Sequence, residues 1–133
     1  MVKKNNKNFD IVVVLQGTSP LRKSYHIDQA IKLFFKKKKN VKTLVSGFKI
    51  SNKNYWILKK NNEFVELIFK QKKLIRRQDN KNLYMPNGAI FISKIKNLNS
   101  FYSKKTILYK MKEKESIYID TIEDLKLVIR YIN

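Results

Sequence analysis

The segment Phe9–Arg22 (FDIVVVLQGTSPLR) constrains this chain more than any other. Ile11 to Leu15 is an unbroken apolar run, three of its five residues Val, the pattern of a central strand covered on both faces of a parallel sheet. It stops at Gln16. Gly17, Thr18, Ser19 and Pro20 then supply turn chemistry, placing hydroxyls and backbone N–H groups at the strand's carboxyl end, where open α/β sheets bind ligands. A strand of that kind is not expected to begin a fold.

The rest of the chain alternates between helix and strand. Ser24 is a candidate N-cap, and Ile27, Ala30, Ile31, Phe34 and Phe35 recur at helical spacing, predicting an amphipathic helix that ends in the basic run Lys36 to Lys39. Val41 to Ser46 alternates as a strand, with Gly47 as its breaker. Between Lys49 and Tyr84 the pattern loosens, YWIL and FVELIF reading as short strands in an excursion from the main sheet. Pro86 to Ser93 reads as a turn, with Asn87 and Gly88 at its mouth, feeding a buried strand, and Ile107 to Met111 as another strand. Ser116 to Asp120 alternates, which would put Ser116, Tyr118 and Asp120 on one face. Thr121 and Asp124 form a T-x-x-D helix start ahead of an apolar stripe of Ile122, Leu125, Val128, Ile129 and Ile132.

At 133 residues and 43% hydrophobic content, the chain has material for one domain with a core. It has no cysteine, so disulfides and thiolate metal sites are excluded. The basic start MVKKNNKNF leads into an apolar run too short for a signal peptide or a membrane span, so a soluble cytoplasmic protein with no membrane partner is expected. The net charge of +20 raises nucleic-acid binding as the alternative function. It is discounted because 26 of the 30 basic residues are Lys and only 4 are Arg, whereas base recognition favours the bidentate Arg fork. Abundant Lys, Asn and Ile reads instead as the surface imprint of an AT-rich genome.

Four segments in order carry a resemblance: Leu15 to Arg22, Arg76 to Gln78, Asn87 to Ile92, and Ser116 to Leu125 (SIYIDTIEDL). Together they resemble the acylneuraminate cytidylyltransferases, the CMP-sialic acid and nonulosonic acid synthetases. The resemblance spans about Phe9 to Ile132. It implies a Rossmann-like α/β nucleotide-diphospho-sugar transferase fold, with residues 49–84 as an arm that pairs two subunits. Members of the family begin with a strand and a glycine- and basic-rich loop similar to IPARxGSK, which cradles the triphosphate. With three Gly in the chain, none in such a segment, the expectation is an N-terminally truncated, C-terminal portion of the enzyme. It would be inactive alone, or half of a split protein completed by an N-terminal polypeptide.

The implied reaction is attack of a sugar-acid hydroxyl on the α-phosphate of CTP, with release of pyrophosphate. By the same resemblance, Gln16 and Asn87 contact the sugar acid, although strand-end residues of this type also cap backbone groups. Thr18, Ser19 and Arg22 line the site, the two hydroxyl residues having turn stabilisation as their alternative. Arg76 or Arg77 pairs with the substrate carboxylate or forms a surface salt bridge. Asp120 is the expected Mg²⁺ ligand, with a helix N-terminal charge as its rival reading. Two departures weaken the match. Tyr118 stands where the family shows a second Asp, which should weaken Mg²⁺ binding because a phenol is not ionised near neutral pH. Gly17 replaces a Pro and loosens the loop. His26 has no partner at catalytic spacing and reads as structural.

Overall fold

A computed structural model describes residues 9–37, 39–50, 58–61, 64–67 and 83–132. In chain order these give β1 (Ile11–Val14), α1 (Ser24–Lys37), β2 (Thr43–Lys49), β3 (Leu58–Asn61), β4 (Phe64–Leu67), β5 (Tyr84–Lys94), β6 (Thr106–Lys110) and α2 (Ile122–Ile132). The chain divides into two compact units, residues 1–48 with 86–133, and Lys49–Met85.

The first unit is built on a mixed sheet of order β1-β5-β2-β6. β1 pairs antiparallel with β5, Ile11 opposite Lys94 and Val14 opposite Phe91, and β2 pairs parallel with β6. The strand covered on both faces is β2, whose residues Thr43 to Gly47 are all buried. This corrects the expectation for Ile11–Leu15. β1 lies at the sheet's edge, with Ile11, Val12 and Val13 half-buried and Val14 and Leu15 exposed, so an apolar run alone did not tell a central strand from an edge one. Gly47 lies inside β2 rather than ending it, its carbonyl accepting the Met111 N–H at 2.9 Å.

The core gathers Ala30 and Phe34 of α1, Leu44 of β2, Ala89, Ile90 and Ile92 of β5, and Tyr109 of β6. The helical period explains the α1 contribution, since Ala30 and Phe34 are one turn apart and Ile27 and Ile31 flank them. Burying a side chain the size of Phe34 contributes about 1.5–3 kcal/mol. Phe35, expected on the same stripe, is exposed. In α2 only Val128 is buried, while Ile122, Leu125, Ile129 and Ile132 stay exposed.

Two further expectations change. β5 begins at Tyr84, so Pro86, Asn87 and Gly88 lie within the strand rather than in a turn before it. Gly88 supplies the irregularity with φ +70°, a conformation glycine tolerates and other residues rarely adopt. Ser116 to Ile119 form no strand; they follow a 3-10 turn at Glu113–Glu115, and their polar faces divide, Ser116 being buried and Tyr118 and Asp120 exposed. The second unit holds the antiparallel pair β3/β4, Leu58 opposite Leu67, and an Ile50 N–H to Leu83 carbonyl bond of 3.1 Å. No helix of the described residues is long and apolar enough to cross a membrane.

Candidate functional site

The turn after β1 is held by Arg22. Its Nη1 donates to the Gln16 carbonyl at 2.8 Å and to the Ala89 carbonyl of β5 at 3.0 Å, fastening both ends of the loop to the neighbouring strand. The Arg22 N–H donates to the Ser19 carbonyl at 3.3 Å, closing the turn locally. Arg22 therefore acts on the loop's position through backbone groups. Gln16 lies against Gly88: a Cβ built at Gly88 would fall on the Gln16 carboxamide, so glycine there serves both its backbone angle and its neighbour. Thr18 is exposed, whereas Ser19 is buried and its hydroxyl has no partner among the described residues.

Asn87 is buried and saturated by protein. Its Oδ1 accepts from the Ser46 hydroxyl at 2.6 Å and the Ala89 N–H at 3.1 Å, while Nδ2 donates to the Ser116 Oγ at 2.8 Å and contacts the Met111 sulfur at 3.3 Å. Ser46 Oγ in turn accepts the Ile90 N–H at 2.7 Å, and Ser116 Oγ donates to the Lys112 carbonyl at 2.8 Å. This network joins β2, β5 and the segment before α2. Sequence reasoning missed Ser46 and Ser116; a serine in the middle of a run as apolar as VKTLVSGF was the available signal.

The Ser116–Asp120 segment reaches the loop directly. The Ile119 N–H donates to the Thr18 carbonyl at 2.9 Å. Two residues on, Thr121 and Asp124 cap α2 reciprocally: Thr121 Oγ1 accepts the Asp124 N–H at 3.2 Å, and Asp124 Oδ2 accepts the Thr121 N–H at 2.9 Å. The same oxygen accepts the Asp120 N–H and the Thr121 hydroxyl. The Thr121 hydroxyl and these backbone N–H groups stabilise the ionised form and hold the Asp124 carboxyl below its usual range. Asp120, Tyr118 and Asp124 line one open cavity of about 490 Å³ with Phe48. Asp120 thus stands at a helix start rather than a strand end.

Beside this region sits a second polar cluster. His26 is buried; its Nδ1 accepts the Lys23 N–H at 3.0 Å and its Nε2 lies 3.4 Å from Glu115 Oε2. Tyr25 donates to Glu115 Oε1 at 3.0 Å. Burial pushes the His26 pKa down, outweighing the pull of Glu115, so the neutral ring keeps its proton on Nε2 toward the carboxylate. Burial alone would raise the Glu115 carboxyl, but the Tyr25 hydroxyl, the Lys112 N–H and the nearby cations together hold it low. The cluster ties α1 to the segment before Ser116.

The structure therefore brings Gln16, Thr18, Ser19, Arg22, Asn87 and the Asp120 segment to one end of the sheet, the carboxyl end of β1. Arg76 and Arg77 lie outside the described residues. A family model described as cytidylyltransferase matches residues 1–132. The chain belongs to the cytidylyltransferase family. Over 125 residues it is 34% identical to an N-acylneuraminate cytidylyltransferase of Streptococcus agalactiae serotype III, which covers 90% of this chain and 30% of the relative. An Escherichia coli O18:K1:H7 protein of the same name is 31% identical over 126 residues, 92% of this chain and 30% of its own length. The chain spans about a third of the length of these relatives. Its mixed sheet with flanking helices is consistent with the nucleotide-diphospho-sugar transferase fold.

Mg²⁺ requires oxygen ligands, commonly one or two carboxylates completed by water and substrate phosphates. Among the described residues no three His, Cys, Asp or Glu side chains come together as a closed metal site. Asp124 Oδ2 is occupied by its capping bonds; of the two exposed carboxylates described at this end of α2, Asp120 and Glu123, only Asp120 lines the cavity. A single carboxylate fits an ion held mainly by phosphates.

Proposed function

We propose that this chain carries the sugar-acid side of a cytidylyltransferase site, in a reaction that transfers CMP from CTP to a sialic-acid-like nonulosonic acid. The observation that supports it is the junction of three separate segments at one sheet end: the Gln16–Arg22 loop, the Asn87–Ala89 stretch of β5, and the chain before α2, joined by the Arg22 and Ile119 hydrogen bonds. In this reading the Gln16 carboxamide, set against the Gly88 backbone, and the exposed Thr18 hydroxyl orient the acid, while the buried Ser19 shapes the turn that carries them. Arg22 and Asn87 are positioning residues, the one fixing the loop and the other fixing β5 against β2. Arg76 or Arg77 supplies the bidentate partner of the substrate carboxylate. The sugar hydroxyl gives its proton to water as it attacks the α-phosphorus, the bond from that phosphorus to the bridging oxygen of pyrophosphate breaks, pyrophosphate leaves, and CMP-sugar forms. Mg²⁺, held by Asp120, would neutralise phosphate charge when bound.

The 133 residues contain no glycine- and basic-rich phosphate cradle, so alone they bind the sugar acid without forming product. Activity needs a complementing polypeptide that supplies the nucleotide side, or a homodimer formed through the 49–84 arm and completed in the same way. The purified chain with CTP, Mg²⁺ and N-acetylneuraminic acid is expected to give no CMP-sugar, and addition of a separately expressed N-terminal polypeptide carrying the cradle is expected to restore it. Turnover by the chain alone would overturn the inactive reading; no gain on complementation would overturn the split-site reading.

A further inference from the structure

At the opposite end of the sheet from the Gln16–Arg22 loop, five lysines among the described residues line one small pocket. The register fixes the direction: Val14, next to the loop, pairs with Phe91, while Ile11 pairs with Lys94. Lys94 closes β5, Lys42 precedes β2 and Lys105 precedes β6, and the order β5-β2-β6 sets the three side by side. Backbone bonds lock the row, from the Lys94 N–H to the Lys42 carbonyl at 3.3 Å and from the Lys42 N–H to the Lys105 carbonyl at 3.0 Å. Neighbouring strands lie about 4.8 Å apart, so these backbones cannot separate to relieve the repulsion of their like charges. Lys39, past the end of α1, and Lys96 border the same pocket, whose volume is about 160 Å³. Asn97 also lines it, and its Nδ2 is buried with no acceptor among the described residues. No acidic residue lines this pocket among the described residues; Asp10 stands with Lys94 and Lys96 in the adjoining cleft.

We propose that this pocket is a binding site for a phosphate group, separate from the sugar-acid site. Compact ammonium groups suit a phosphate as point charges, and several acceptor oxygens answer both the clustered cations and the orphaned Asn97 amide. Among the described residues the pocket offers no Arg fork to select a carboxylate and no aromatic side chain on which a base could stack, which sets it apart from a single-stranded nucleic-acid groove.

The test is a titration of the ¹⁵N-labelled chain with inorganic phosphate in a constant chloride background, with pyrophosphate and CMP in parallel arms. Saturable shifts at Lys42, Lys94, Asn97 and Lys105 are expected, and a K42Q/K105Q variant is expected to bind at least tenfold more weakly with an unchanged circular dichroism spectrum. Tightest binding of orthophosphate, pyrophosphate or CMP identifies the source as free phosphate, a diphosphate or a phosphomonoester. Phosphate should also raise the thermal midpoint of the unmodified chain, since a ligand that binds only the folded state stabilises it. Shifts that fail to saturate, that spread equally to Lys112 and Lys126, or that persist at full affinity in the double variant would overturn the proposal. Should K42Q/K105Q fold poorly, K39Q/K96Q on the pocket's rim gives the same comparison.

Discussion

Gly88 and Asn87 illustrate how much one residue position can carry. Gly88→Ala would strain a backbone at φ +70° and press a methyl onto Gln16, so a loss of about 1–3 kcal/mol is expected in urea unfolding, with displacement of the loop. Asn87→Ala removes the acceptor of the Ser46 hydroxyl and of the Ala89 N–H and the donor to Ser116 Oγ; a loss of about 1–3 kcal/mol is expected, and Asn87→Asp should not fully restore it because a carboxylate cannot donate to Ser116. His26 gives a pH dependence with a definite sign. Its folded pKa is depressed below the ordinary 6.5, so the unfolded chain binds the proton more readily. The stability it contributes is complete above about 6.5 and is lost as the pH falls toward the folded value; Glu115, also depressed, adds acid sensitivity of the same sign below its usual 4.5. Thermal midpoints measured between pH 7.5 and 5.5 should fall, and His26→Gln should flatten the decline within that window. An unaltered slope in the variant would remove His26 from this role.

Secondary-structure elements show where sequence reading succeeded and where tertiary context intervened. Both helices were legible, because α1 carries a 3.6-residue apolar stripe and α2 opens with T-x-x-D, whose capping bonds form as that pattern implies. Thr121→Ala is accordingly expected to cost about 1 kcal/mol and to reduce helical signal from α2. Strand environment was less legible. The apolar run Ile11–Leu15, expected to be central, lies at an edge, and the alternating run Val41–Ser46, read simply as a strand, is the buried central one, because burial depends on neighbours that lie far along the chain. Ser116–Asp120 has the alternation of a strand without being one; Ser116 is drawn inward by Asn87, while Thr18 takes the Ile119 N–H that a strand partner would have used. An apolar strand at an exposed edge invites pairing with other chains. Val14→Lys should therefore lower self-association in light scattering while leaving the circular dichroism spectrum unchanged; equal scattering would show that β1 is not the adhesive edge.

For the whole molecule, the ordered motifs carried the family, and the geometry explains why they recur together: the Gln16–Arg22 loop, the Asn87 strand and the Asp120 segment converge on one sheet end although they lie about a hundred residues apart in sequence. The Asn87 network and the His26–Glu115 pair were not legible, since each joins residues whose partners only folding brings near. The +20 charge, read as a surface property, is concentrated in part at the opposite end of the sheet, in the Lys42–Lys94–Lys105 row. The proposal that this chain holds the sugar-acid side of a cytidylyltransferase site is tested most directly by titrating it with N-acetylneuraminic acid and, separately, with CTP. Saturable amide shifts from Gln16 to Arg22 with the sugar acid, weakened by Gln16→Ala and absent with CTP, are the expected result. CTP binding at that loop with the sugar acid silent would contradict it.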